Sequence, residues 1–291
     1  MGTEASKIWN PDPFKTYKHQ ALRQEIEKIL DQSAPSNPKR KHRIVVCACG
    51  KDGKSSSINA ILAALEGKFA HAANVGSLDR HVTRQYIEYK MLIGDMKDTS
   101  YIICDTPGLR DGIPRDDVKV QTEAIKAAID GKFHSGDEVN YEKLTVPELE
   151  TMERKKERAI CVIFVLDIRK VKNGVIDHST AFQSMMSILE FVQGNDIKVA
   201  CLLTYCDQLD DAVKQNTRNI CKSKPVEEAI QILEQKFKGF PGHRIFPIAN
   251  RMEQMDLTDD MMVQNLFALK YIMSDILANL RKRVDDPANG E

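Results

Sequence analysis

The residues best equipped for chemistry lie in Ala48-Cys49-Gly50-Lys51-Asp52-Gly53-Lys54-Ser55, where a β-branched run ends and a helical pattern begins. Apart from Ala48 in place of the first glycine, this octapeptide matches the Walker A pattern. Loops of this kind turn successive backbone N–H groups inward, and the positive end of the following helix reinforces them, so the ligand they suit is a phosphate. Gly50, Lys51, Asp52, Gly53, Lys54, Ser55 and Ser56 are therefore the candidate phosphate-binding residues. Lys54 is expected to bridge the β- and γ-phosphates and to act in catalysis, and the Ser55 hydroxyl to ligate Mg²⁺. The competing interpretation is a Gly-Lys-Ser turn in which Ser55 or Ser56 only caps a helix. The strand pattern before and the helix pattern after favour the phosphate loop. A single methyl at Ala48 is tolerable where φ stays negative.

Three further tetrapeptides follow strand-like runs. Tyr101-Ile-Ile-Cys-Asp105 leads into Asp105-Thr-Pro-Gly108, about 50 residues after Lys54. In that arrangement the carboxylate holds Mg²⁺ through water and the Gly108 N–H senses a γ-phosphate, although Asp-Thr-Pro-Gly is also a good turn. Thr204-Tyr-Cys-Asp207 stands where an N/T-K-x-D sequence reads guanine, with Asp207 accepting from the base and Tyr205 in place of the lysine that lies along it. Asp207 as a turn or capping residue is the plainer alternative. Ala249 and Asn250, after Phe246-Pro-Ile, are placed for a backbone N–H to meet the guanine carbonyl. Between the phosphate-loop helix and Tyr101, Thr83 is the candidate catalytic and Mg²⁺-ligating hydroxyl, with Ser77 its rival. Leu109 occupies the position at which many GTP-hydrolysing proteins place a water-orienting glutamine. Arg80, His81, Arg84 and Arg110 are near enough in sequence to contribute charge.

The elements that must position these residues can be traced along the chain. Leu22, Ile26, Ile29 and Leu30 predict an amphipathic helix over 18–31, ended by a link with two prolines between Ala34 and Pro38. The basic run Lys39 to Arg43 reads as a solvated lead-in to the next strand. From Arg43 onward, short apolar runs alternate with helical patterns, which predicts βαβ units. The expected fold is α/β, doubly wound with a mostly parallel sheet, of the P-loop GTPase type, with an N-terminal helix and a long C-terminal helix. Ligands in such sheets lie beyond the carboxyl ends of the strands. Residues 1–42 are expected to form a helix and linker packed on one domain, 43–291. An insertion is expected at about 131–158, with a short helix near Pro147 to Arg158. In the last helix Met262, Leu266, Leu269, Met273, Ile276 and Leu280 recur at steps of three and four, the pattern of a helix packed on its own domain.

Bulk composition excludes several classes. The 42 Lys and Arg balance 42 Asp and Glu, so there is no global field to recruit nucleic acid. The longest apolar run, Ile160 to Leu166, is far short of the roughly 20 residues of a membrane span, so no transmembrane segment is expected. The N-terminus lacks the apolar core of a signal peptide, which predicts a cytoplasmic protein. Seven cysteines at irregular spacing read as core thiols.

Gly53 to Ile61, His71 to Ser77, the Tyr86 to Tyr89 strand, Ile103 to Leu109, Cys221 to Ile230 and Ile245 to Leu257 together resemble the GTPase domain of the interferon-induced protein 44-like family. The resemblance runs from about Trp9 to the final helix, nearly the whole chain. It implies a P-loop GTPase fold related to dynamin-, septin- and immune-associated GTPases, and a role in interferon-linked or antiviral defence. Carried across by position, it implies that Lys54 and Ser55 serve phosphate and Mg²⁺, Asp105 the metal's outer shell, and Asp207 the base. The implied ligands are GTP or GDP with Mg²⁺, and the implied partner is a second copy of the chain meeting it across the nucleotide face. The threonine-rich switch I of relatives is here Ser77-Leu-Asp-Arg80. With Leu109, that leaves two expectations open: slow Mg²⁺-dependent GTP hydrolysis, or a nucleotide-stabilised interaction module without useful hydrolysis.

Overall fold

The protein is described by a computed structural model that covers residues 12–32, 40–67, 85–93, 97–237, 244–249 and 258–285. Six strands form one sheet: β1 (His42–Ala48), β2 (Ile87–Ile93), β3 (Lys97–Asp105), β4 (Cys161–Asp167), β5 (Lys198–Thr204) and β6 (Ile245–Pro247), in the order β2-β3-β1-β4-β5-β6. All neighbours are parallel except β2, which runs antiparallel to β3. Every residue of β1 and β4 is buried, as near-continuous apolar strands covered on both faces must be. The register pairs Val46 with Asp105, Ala48 with Val165 and Asp167 with Thr204. The carboxyl ends of β1, β3, β4 and β5 therefore lie along one edge. The strand order reverses between β1 and β4, so the loop after β1 opens at the topological switch point, where such sheets bind ligands.

The helices are α1 (Pro13–Thr16), α2 (His19–Gln32), α3 (Lys54–Glu66), α4 (Arg115–Ile129), α5 (Val146–Thr151), α6 (Ile168–Lys172), α7 (Thr180–Gly194), α8 (Cys206–Leu209), α9 (Asp211–Gln215), α10 (Lys224–Lys236) and α11 (Asp259–Asp285). Helix α3 packs on β1, β2 and β3, while α11 packs on α3 and β5. Helix α4 packs on β1 and α7, and α7 on β5. The apolar stripe of α2, Leu22, Ile26 and Leu30, is buried against α11. The three-and-four stripe of α11 is covered in return: Leu266, Leu269, Met273 and Ile276 are all core residues. Lys270 joins the two helices by an ion pair to Glu25 at 2.5 Å and lies 4.4 Å from the Tyr17 ring centre. Among the described residues no helix is long and apolar enough to cross a membrane.

Two expectations are corrected. Arg43 is not part of a solvated run but is 1% exposed. It donates from Nη1 to the Glu157 carbonyl at 2.8 Å and from Nη2 to the Ala128 carbonyl in the last turn of α4 at 2.9 Å and to the Tyr86 hydroxyl. Its Nε lies 3.5 Å from Glu88, which also pairs with Lys156 at 2.7 Å. Seen from the sequence, Arg43 is the last of four basic side chains, and the partners that bury it come from far along the chain. The helix expected over Pro147 to Arg158 is only Val146–Thr151. A capping box between Thr145 and Glu148 opens it. Beyond Met152 the chain is pulled out of helix because the N–H groups of Lys155 and Lys156 both donate to the Gly131 carbonyl at 3.0 Å. Gly131 holds φ +83, and a Cβ there would meet the Lys156 carbonyl oxygen at 2.4 Å. The preceding residues extend the sheet edge, with Tyr86 N–H donating to Asp137 O at 3.0 Å and Gly136 N–H to Tyr86 O at 2.7 Å.

Replacing Arg43 by methionine keeps the side-chain volume and removes the charge that satisfies three acceptors and faces Glu88. The expected loss is about 3 kcal/mol, at the lower end for breaking a buried pair because Lys156 still serves Glu88. Urea denaturation at unchanged m-value measures it. A loss below about 1 kcal/mol would show that the network contributes no more than exposed pairs do.

Candidate nucleotide-binding site

The loop between β1 and α3 turns through two residues with positive φ, Lys51 at 67° and Gly53 at 84°. Gly53 is also the N-cap of α3, and no side chain caps that helix end. A Cβ at Gly53 would lie 3.4 Å from Thr204 Cγ2 and 3.6 Å from Tyr205 Cε2, ordinary contact distances, so it is the left-handed backbone turn that calls for glycine here. Asp52 N–H donates to Cys49 O at 3.2 Å, and Ser57 N–H to Gly53 O at 2.9 Å. Ser55 and Ser56 sit half-buried in the first helical turn.

On one side the loop is stitched to the segment after β3. Gly50 N–H donates to Leu109 O at 2.8 Å, and Leu109 N–H donates to Ala48 O at 2.9 Å. A Cβ at Gly108 would be 3.5 Å from Gly50 Cα. Lys54 and Asp105, both buried, form an ion pair. On the other side the loop is stitched to the end of β5. The Thr204 hydroxyl lies 2.7 Å from Asp52 O and 3.0 Å from Leu166 O, and the Tyr205 hydroxyl donates to Lys51 O at 3.3 Å. Tyr205 adopts φ 60°, and the guanidinium of Arg169 lies 4.3 Å from its ring centre. Asp207 is buried in α8. Ala249 N–H donates to Gln264 Oε1 at 3.1 Å, and Gln264 Nε2 donates back to Ala249 O at 2.9 Å.

The structure thus brings Gly50, Lys51, Asp52, Gly53, Lys54, Ser55, Ser56, Asp105, Gly108 and Thr204 around one loop, with Asp207 and Ala249 following β5 and β6. Thr83, Ser77, Asn250, Arg80, His81 and Arg84 lie outside the described residues. Arg110 pairs with Glu142 at 3.0 Å and lies 5.7 Å from the Tyr141 ring centre. Sequence reasoning passed over Arg169, Lys170, Gln121 and Gln264. The first two stand directly after β4, and the rule that chemistry follows strand ends would have singled them out. Gln264 lies mid-helix, and no local signal marks it.

The segment from Pro107 to Asp111 is held from four directions. Leu109 is fully buried. Arg110 N–H donates to Gln121 Oε1 at 2.9 Å, and Gln121 Nε2 donates to Arg110 O at 3.3 Å. Asp111 accepts from Ser179 Oγ at 2.7 Å and from Ala181 N–H at 3.0 Å, at the start of α7. The buried Tyr141 hydroxyl donates to Pro107 O at 3.0 Å.

Two carboxylates lie under the loop. Burial pushes the Asp105 carboxyl up, against the pull of Lys54. Burial likewise pushes Asp52 up to about 7, against its ion pair with Lys170. The residues fit an anionic phosphate ligand. The uncapped N-terminus of α3 offers backbone N–H groups, and Lys54 offers a buried cation. They also fit Mg²⁺, which takes few protein ligands and fills the rest with phosphate oxygens and water: Ser55 brings a hydroxyl and Asp105 a carboxylate.

Comparison with known proteins follows from this geometry. The family model described as 50S ribosome-binding GTPase matches residues 43–204. Interferon-induced protein 44 of Mus musculus is 26% identical over 231 residues, covering 76% of this chain and 51% of that protein. Interferon-induced protein 44-like of Homo sapiens is 25% identical over 239 residues, covering 79% and 50%. The chain spans about half the length of the curated relatives it matches. Among solved structures, Toc33 from Arabidopsis thaliana in complex with GDP and Mg²⁺ is similar with a TM-score of 0.47 and 14% identity, over 92% of this chain and 96% of that one.

The raised carboxyl of Asp52 sets a pH dependence. Between its unfolded value of 3.8 and about 7 the folded chain holds a proton that the unfolded chain has lost. Stability therefore falls as pH rises through that window and levels above it; the raised carboxyl of Asp105 adds the same sign. Asp52→Asn should flatten the decline measured by urea denaturation between pH 5 and 8, with both pH limits about one unit inside or beyond the window. An unchanged slope in the variant would mean that Asp52 does not titrate there.

Proposed function

Because the chain belongs to the 50S ribosome-binding GTPase family, whose model spans residues 43–204 of 291, we propose that it binds GTP and GDP at this loop and hydrolyses GTP slowly with Mg²⁺. The observation that carries the reading is the convergence of three segments on one loop: Leu109 bonded to Gly50 and Ala48, Thr204 to Asp52 O, and Lys54 paired with Asp105. In this reading the N–H groups from Gly50 to Ser56 cradle the phosphates, and Lys54 exchanges Asp105 for the β- and γ-phosphate oxygens. Ser55, Asp105 and Thr83 would hold Mg²⁺, and the ion would supply neutralisation of charge on the transferred phosphoryl group. Gly108 N–H faces the γ-phosphate. Asp207 accepts from guanine N1–H and N2–H, and with the Ala249 N–H given to Gln264 the contact to the guanine carbonyl falls to Asn250. Tyr205, bonded to the loop crest and faced by Arg169, forms a wall beside the base.

Turnover is assigned as slow because Leu109 is an apolar, fully buried side chain that cannot orient water. A group supplied in trans is worth about 10³–10⁵ in rate for this chemistry. We assign that group to Arg80 or Arg84 of a second copy meeting the nucleotide face, since Arg110 is already engaged by Glu142 and Tyr141. The same Leu109 and the bonds that hold Arg110 and Asp111 favour a second reading, a nucleotide-stabilised interaction module without useful hydrolysis. The interferon-induced relatives support an interferon-linked role, which we read as antiviral defence by a cytoplasmic protein.

Calorimetry should give GTP and GDP affinities far above that for ATP, because a carboxylate that pairs with guanine leaves adenine unsatisfied. Asp207→Ala should lose about 1.5–3 kcal/mol, the range for hydrogen bonds to a charged group. Equal affinity for ATP and GTP in the parent protein would remove the guanine reading.

Specific GTPase activity should rise with protein concentration and drop in Arg80→Ala or Arg84→Ala, while Lys54→Ala should lose the melting-temperature gain that GTP and Mg²⁺ give the parent. A fast rate independent of concentration would mean that one chain carries a complete catalytic set. No hydrolysis under any condition, with nucleotide binding intact, would select the second reading.

A further inference from the structure

Asp52 lies within the phosphate loop, two residues before Lys54, and its side chain is 0% exposed. Its Oδ2 has no hydrogen-bond partner among the described residues. A carboxylate in that position meets any arriving phosphate as a like charge in a poorly solvated place. Among the described residues one cation is ion-paired with it: Lys170 of α6, 118 residues away in sequence, on Oδ1. The same ammonium donates to Gly50 O at 3.0 Å. It thereby fixes the peptide unit at the start of the loop while neutralising the side chain near its end.

The other groups whose charges bear on Asp52 cannot replace it. Asp167 is a second carboxylate, and Cys49, Cys201 and Tyr205 offer only negative charge on ionisation. Arg169 is committed to Asp167, with Nη2 to Oδ2 at 2.6 Å and Nε to Oδ1 at 2.9 Å. Two consecutive residues of α6 thus divide two carboxylates between them, Arg169 serving Asp167 and Lys170 serving Asp52.

We propose that Lys170 is a positioning residue for the phosphate loop, which it keeps receptive to an anion by cancelling the buried charge of Asp52 and holding the Gly50 carbonyl. The proposal rests on the reading of this loop as a phosphate site. It assigns Lys170 no contact with the nucleotide; its effect passes through Asp52 and Gly50.

The test uses the full chain and five variants, Lys170→Met, Lys170→Arg, Lys170→Gln, and, to close the double-mutant cycle, Asp52→Asn and the double variant Lys170→Met with Asp52→Asn. Two readouts are taken. One is GDP affinity by calorimetry at a pH about 1.5 units above the value at which Asp52 titrates in Lys170→Met, which loss of the ammonium raises above that of the parent, and again about half a unit below it. The other is amide hydrogen exchange of residues 49–57 without nucleotide. Lys170→Met should lose at least roughly tenfold in GDP affinity at the higher pH, the scale of an unpaired buried charge, and less at the lower pH, where the carboxyl can hold a proton. Its loop exchange should rise. The double variant should return to within about threefold of the parent, and Lys170→Arg should stay close to it, because each restores neutrality. Filling space alone would not produce rescue by removal of the opposite charge.

If Lys170→Met does not fold, Lys170→Gln decides: it keeps a donor for the Gly50 carbonyl but loses the charge, so it should still bind GDP roughly tenfold more weakly at the higher pH, and parent-like affinity would overturn the proposal. Parent-like affinity and exchange in Lys170→Met would also overturn it, as would a double variant as weak as Lys170→Met alone. A parent protein that binds no GDP, with loop exchange still following the charge pattern, would support the ion-pair role and remove the guanine reading instead.

Discussion

The loop from Cys49 to Gly53 belongs to neither β1 nor α3, so its backbone polar groups must find partners outside regular secondary structure. Much of the surrounding architecture can be read as the supply of those partners. Leu109 takes and gives a hydrogen bond on one side, while Thr204 and Tyr205 reach the carbonyls of Asp52 and Lys51 on the other. Lys170 takes the Gly50 carbonyl. The parallel sheet makes this possible by delivering the ends of β3, β4 and β5 to the edge where β1 ends, so residues from three distant parts of the sequence converge on the five of the loop. With their carbonyls held in this way, the loop's N–H groups and the uncapped end of α3 can face a ligand.

Charge burial follows from the same arrangement. Asp52 and Asp105 are each 1% exposed, so both are taken out of solvent and each needs a cation. Lys170 and Lys54 provide one each. The two pairs differ in what they leave available. Lys54 stands at the mouth of the loop and can exchange Asp105 for another anion, whereas Lys170 is held by two acceptors of the loop itself. One lysine is therefore suited to contact a ligand and the other to maintain the loop that receives it.

Such convergence is only partly legible in a sequence. The alternation of strands and helices, the octapeptide around Gly53 and Lys54, and Asp105 to Gly108 could be read because each is local: a few neighbouring residues carry the pattern and the backbone geometry together. Arg43 could not. Its neighbours Arg40 and Lys41 are basic, and its partners Ala128 and Glu157 are 85 and 114 residues away. Gln264 escaped for the same reason, since no periodicity relates it to Ala249, whereas Lys170 stands just beyond the end of β4 and only its pairing with Asp52 was hidden. The overlong helix expected after Pro147 failed on a single tertiary contact, two N–H groups drawn to the Gly131 carbonyl. Local propensity favoured helix there, and the hydrogen bonds available from a glycine turn outweighed it.

The bonds beyond Gly108 bear on whether this chain could act as a switch. Displacing Leu109 to Asp111 would break two backbone hydrogen bonds to the loop, two to Gln121 and two at the start of α7, and would draw Leu109 out of the core. At about 1 kcal/mol for each hydrogen bond and about 2 kcal/mol for exposing a leucine, the displaced state lies several kcal/mol above the one observed. A ligand moves such an equilibrium only by binding the two states differently, and reversing a population from 1:99 to 99:1 takes about 5.5 kcal/mol. One added phosphate contact to Gly108 N–H is too small to do that alone. The observed arrangement of residues 109–111 therefore persists unless a ligand binds the displaced state several kcal/mol more tightly.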